Sequence, residues 1–114
     1  MSISREEIVE ACRPVLEAVG FHTTENRHER RFITAYQIWF LLREGGNPIC
    51  DILILECGGE FVGRDAGSHV GLAQKIAQAL RNCQDIETQY LDTRFLMINN
   101  IDPSGIDCGI FRLR

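Results

Sequence analysis

Lysine is nearly missing from this chain: of twelve basic residues eleven are arginine, and Lys75 stands alone. Basic surface as a whole is also scarce, since the net charge is −4. Binding to nucleic acid depends on neutralising phosphates, so this balance argues against a general nucleic-acid partner. Cysteines at metal or redox spacing are missing too. Cys12, Cys50, Cys57, Cys83 and Cys108 are odd in number and form no C-x-x-C pair, so neither a disulfide framework nor a zinc site is indicated. Free thiols beside apolar residues suit a reducing compartment, and a cytoplasmic location is expected. Residues 1–20 carry Glu6, Glu7, Glu10 and Glu17, which is wrong for a secretory leader. No apolar run reaches the roughly 18 residues of a membrane span. Linkers, repeats and low-complexity stretches are absent, and no motif names a reaction. No cofactor and no metal is indicated.

What is present fits one α+β domain over residues 1–114, with 45% apolar and 25% charged residues. A first helix is expected over about residues 4–19. Ser4 and Glu7 form a capping-box pattern, and Ile8, Cys12, Val15, Leu16 and Val19 recur at helical spacing before Gly20. Pro14 should kink or divide this helix, because it removes the bond to Glu10. A second helix is expected over about 68–81, with Leu72, Ala73, Ile76, Ala77 and Leu80 as its buried stripe.

Phe32–Leu42 and Ile49–Leu55 are read as strands, joined by a hairpin at Gly45-Gly46-Asn47. As strands they are apolar on both faces. Tyr36, Phe40 and their even-numbered neighbours stand opposite Ile33, Trp39 and Leu41. Shorter strands are expected near Phe21–Thr24, Glu60–Val62 and Glu87–Leu91. A last hairpin joins Arg94–Asn99 to Asp107–Leu113 through the turn residues Asp102-Pro103-Ser104-Gly105. The expected order is α-β-β-β-α-β-β, with a largely antiparallel sheet of five or six strands and one layer of two helices.

Two helices, each about 10 Å wide, cannot shield both faces of such a sheet, whose strands are spaced about 4.8 Å apart. The bare face implies a homodimer through the sheet, with Ile33, Trp39, Leu41, Tyr36 and Phe40 as interface or pocket residues. One alternative, compatible with the first, is a sheet curled into a partial barrel around a small-molecule cavity, with Tyr36, Trp39, Phe40 and Phe95 as aromatic lining. Another is one helix on each face, which leaves half of each face open.

The segment richest in chemistry is Gly58-Gly59 through His69. Its glycines let backbone N–H groups approach an anion, the helix start adds a positive dipole end, and Arg64, Ser68 and His69 add donors and a proton carrier. Asp65 completes this anion-binding or catalytic group, and a plain structural reading makes Asp65 or Ser68 an N-cap. His22 and His28 lie in a polar stretch read as a solvated loop.

By element order the chain resembles the restriction-endonuclease-like nuclease core, in which a Pro-Asp pair precedes a Glu-x-Lys and the acids bind magnesium. Here two residues separate Pro48 from Asp51, while Glu56 and Glu60 are followed at the second position by Gly58 and Val62, so the lysine is lacking. The order is also similar to that of small acidic dimeric bacterial secretion chaperones. Neither likeness assigns a residue role. Two expectations follow: a non-catalytic binding or accessory protein acting as a homodimer, such as a mobile element could carry, or a small enzyme or anion-binding domain centred on Arg64–His69.

Overall fold

The computed structural model describes residues 3–24, 27–59, 71–92 and 107–114. Their order is α1 (Arg5–Ala18), β1 (Phe21–Thr24), β2 (Arg27–Arg30), β3 (Ile33–Thr34), α2 (Ala35–Glu44), α3 (Ile49–Cys57), α4 (Leu72–Leu80), β4 (Ile86–Asp92) and β5 (Asp107–Leu113). The class is α+β. The described residues hold four helices, a two-stranded ribbon β1–β2, and a three-stranded antiparallel sheet in the order β3-β5-β4. That sheet does not close into a barrel. None of the described helices is long and apolar enough to cross a membrane.

The largest correction concerns the two doubly apolar stretches, which are helices rather than strands except at Ile33–Thr34, the short β3. Thr34 starts α2 with a full capping box: its Oγ1 accepts from the Gln37 N–H at 3.1 Å, and Gln37 Oε1 accepts from the Thr34 N–H at 2.8 Å. Ala35, Ile38, Trp39 and Leu42 then fall at i, i+3, i+4 and i+7 and are all buried. Gly45 and Gly46 do not turn a hairpin. They end α2, with the Gly45 N–H donating to Leu41 O at 3.0 Å and Gly46 at a φ of 69°. Asn47 Oδ1 accepts from the Ile49 N–H at 3.0 Å and so satisfies a donor at the head of α3. Gly58, at a φ of 79°, closes α3 in the left-handed conformation. Apolar residues on both sides of a supposed strand are therefore the two flanks of a helix.

This also removes the shortage of cover inferred from two helices on a broad sheet. Contacts join α1, α2 and α4 to one another, and α1 and α2 both reach β5. Phe111 of β5, wholly buried, packs in one cluster with Leu16, Ile38, Leu53, Leu72, Ile76 and Leu80. Cores of this density lose several kcal/mol when a large side chain is truncated.

The ends of the chain follow expectation more closely. Ser4 caps α1, its Oγ accepting from the Glu7 N–H at 3.2 Å, and Ile8, Val9, Cys12 and Leu16 are buried. Pro14 sits within α1 without dividing it. The five apolar residues expected to line the second helix are all buried in α4. β4 spans Ile86–Asp92, and it pairs with β5 from Ile86–Leu113 to Asp92–Asp107. The stretch read as a solvated loop instead forms β2, paired with β1 in the register Phe21–Arg30 to Thr24–Arg27. The strands expected at Glu60–Val62 and Arg94–Asn99, the turn at 102–105, and Phe95 lie outside the described residues.

One arginine ties the ribbon to the sheet. Arg112 of β5 stands opposite Glu87 of β4 in register, and its Nε and Nη2 donate to Glu87 Oε1 at 2.9 and 2.8 Å. Its Nη1 reaches Glu29 Oε2 of β2 at 3.2 Å and Arg30 O at 3.3 Å, and the guanidinium lies 4.2 Å from the Phe32 ring centroid.

Candidate functional site

Arg64, Asp65, Ser68 and His69, the anion-binding group expected from sequence, lie outside the described residues. The expected interface residues separate into two sets. Tyr36 and Trp39 are core residues at 8% and 3% exposure, and Ile33 is half-buried in β3. Phe40 and Leu41 lie on the outer flanks of α2 at 39% and 47%. The strand reading placed Tyr36 with Phe40 and Trp39 with Leu41; the helix puts Trp39 and Leu41 about 200° apart, while Tyr36 and Phe40, at i and i+4, stay neighbours with only Tyr36 buried.

Sequence reasoning missed α3 as a surface. Most helices at a protein surface have one polar face, whereas Ile49, Cys50, Ile52, Leu53, Ile54 and Leu55 leave α3 apolar nearly all round. The core takes Ile49, Cys50, Leu53 and Cys57. Leu55 is left 82% exposed and Ile52 40%. The signals that mark this segment as a helix were in the sequence: the Thr34-x-x-Gln37 box before α2 and a Gly-Gly pair after each helix.

On the side of α3 toward α1 runs an open groove of about 520 Å³. Its apolar lining is Ala11 of α1 with Ile49 and Ile52 of α3, and its polar lining is Asn47 with Glu6, Glu7 and Glu10 of α1. The α1 sequence produces this acidic edge directly. The core stripe Ile8, Val9, Cys12 and Leu16 turns inward, and glutamates in the first turn complement the positive end of the helix. Glu10 is partly neutralised by Arg13, whose Nε lies 3.0 Å from its Oε1, and Arg13 also binds Asp85 ahead of β4.

A second polar arrangement sits at the start of the chain. Glu56 Oε1 accepts from the Ile3 N–H, and its buried Oε2 lies 3.7 Å from Lys75 Nζ with no hydrogen bond. Arg5 Nε donates to Ala79 O at 3.2 Å nearby. These groups fasten the chain start to α3 and α4. A third hollow, of about 350 Å³, holds Arg30, Arg112 and Arg114, and each guanidinium is already bound to protein oxygens.

Four of the five thiols are buried and unsuited to nucleophilic work. Burial pushes Cys12 up to about 12, and burial likewise raises Cys50, Cys57 and Cys108, so these four are protonated at neutral pH. Among the described residues, no three His, Cys, Asp or Glu side chains are grouped to hold a metal ion. Compared with known proteins, the chain matches no family model, no curated protein and no solved structure.

Proposed function

We propose that this protein is a non-catalytic binding or accessory protein that works as a homodimer, the two copies meeting across the outer face of α3. The observation that carries the reading is Leu55, an apolar side chain 82% exposed on a helix with apolar residues on almost every side. Phe40 and Leu41 of the preceding helix, 39% and 47% exposed, are further apolar side chains available to a partner. Large exposed apolar side chains, when contiguous, mark association surfaces. A specific interface needs about 800 Å² from each partner, so the contact has to include α2 as well as α3.

This reading keeps the homodimer expected from sequence and moves its seat from a sheet face to a helical one. The move changes the diagnostic substitution. Trp39→Glu would place a charge in the core and unfold the chain, which says nothing about association. Leu55→Glu adds a charge at an exposed helical position and leaves the fold intact. Light scattering coupled to size-exclusion chromatography should find twice the 13.0 kDa chain mass for the wild type. Leu55→Glu should elute as a single chain with unchanged circular dichroism. A wild type that stays monomeric at hundreds of micromolar sinks the proposal.

A further inference from the structure

We infer that the groove between α1 and α3 is a docking site for a basic amphipathic helical segment of another protein. The inference goes beyond self-association and uses the edge of α3 that faces α1, where Ile52 neighbours Leu55 at about 60° around a helix of 3.6 residues per turn. Three features of the groove define its occupant. The apolar lining of Ala11, Ile49 and Ile52 asks for apolar side chains, and Ile52 is 40% exposed without a partner covering it. The edge asks for cations: Glu6 and Glu7 line the groove and are exposed on α1. Among the described residues no lysine or arginine lines the groove to neutralise them, and Arg13 is engaged by Glu10 and Asp85.

A trough lined by two neighbouring helices accepts one row of side chains, the pattern a helix presents at i, i+3, i+4 and i+7. Lys or Arg flanking that row would meet the glutamates. The same charges disfavour other occupants. A second copy carries the same glutamate edge and a net charge of −4, so it would set acid against acid. Nucleic acid and anionic lipid surfaces are repelled for the same reason.

The test uses the full chain and a fluorescein-labelled synthetic helix with Leu at i, i+3, i+4 and i+7 and Lys elsewhere. Two control peptides carry the same residues in scrambled order, or Glu in place of every Lys. Fluorescence anisotropy should show saturable one-to-one binding of the first peptide only, weakening as salt rises. Glu6→Gln with Glu7→Gln, and separately Ile52→Ser, should each weaken it about tenfold, with thermal melts confirming that both variants fold. Amide shifts in the wild type should concentrate at Ala11, Asn47, Ile49 and Ile52. Equal binding of the scrambled or Glu peptide, undiminished binding by the variants, or shifts centred elsewhere would overturn the inference. So would binding seen only after Leu55→Glu makes the chain monomeric, because the groove would then belong to the second copy.

Discussion

Leu53→Ala and Leu55→Ala make the same chemical change two residues apart, and they should have very different effects. In a strand these positions share a face and respond alike. In α3 they lie about 200° apart, and the structure leaves Leu53 0% and Leu55 82% exposed. Leu53 packs in the main core cluster, where truncating a leucine to alanine costs about 2.7–5 kcal/mol through lost transfer energy and the cavity left behind. Against a total stability of about 5–15 kcal/mol this is a severe loss. For a chain of this size 1 kcal/mol moves the melting temperature by about 4 °C, so Leu53→Ala should lower it by about 10 °C or more. Leu55→Ala should change stability by less than about 0.5 kcal/mol, because little of the side chain leaves water on folding of one chain. The assay is thermal and urea unfolding followed by circular dichroism, at low micromolar concentration and again at tenfold higher. Only Leu55→Ala should alter the concentration dependence of the melt, since association stabilises by mass action. Equal losses at the two positions would refute the helical assignment and every inference drawn from α3.

Thr34→Ala removes one arm of the α2 capping box and should cost about 1 kcal/mol in urea unfolding, whereas an unchanged midpoint would show that the cap contributes nothing. The Arg112 guanidinium holds Glu87 below its ordinary 4.5. The folded chain thus binds that proton less tightly than the unfolded one, and the associated stability is full above about pH 4.5 and drains as pH falls below it. In Arg112→Met, NMR titration should find Glu87 returned toward 4.5, and the acid limb of stability should flatten; an unmoved titration contradicts the pairing. Of the five thiols, half-exposed Cys83 should react first with a disulfide reagent in the native protein, and all five should react in denaturant. Rapid native reaction of Cys12, buried and raised to about 12, would contradict its placement.

The sequence was legible where helix signals were complete and unopposed. In α1 a capping serine and a five-residue apolar stripe agree, and in α4 the stripe alone suffices. In Phe32–Leu42 and Ile49–Leu55, aromatic and β-branched residues raise strand propensity, and dense apolar content satisfies both periods at once. Tertiary packing decided for helix, and the deciding local marks were small: Gln37 three residues after Thr34, and Gly58 after Cys57. The ribbon strand β2 was hidden because Arg27-His28-Glu29-Arg30 has no apolar alternation to show. The acidic groove was invisible for another reason. Glu6, Glu7 and Glu10 read as ordinary helix-start charges until α3, some forty residues later, is known to lie beside them.

Self-association through α3 is tested most directly by NOE spectroscopy on a mixture of isotope-labelled and unlabelled chains, filtered for contacts between the two. The account predicts cross-chain contacts at the Leu55 methyl groups and at Phe40 or Leu41, with none at Leu53. Cross-chain contacts that avoid α3, or none at all at high concentration, would contradict it.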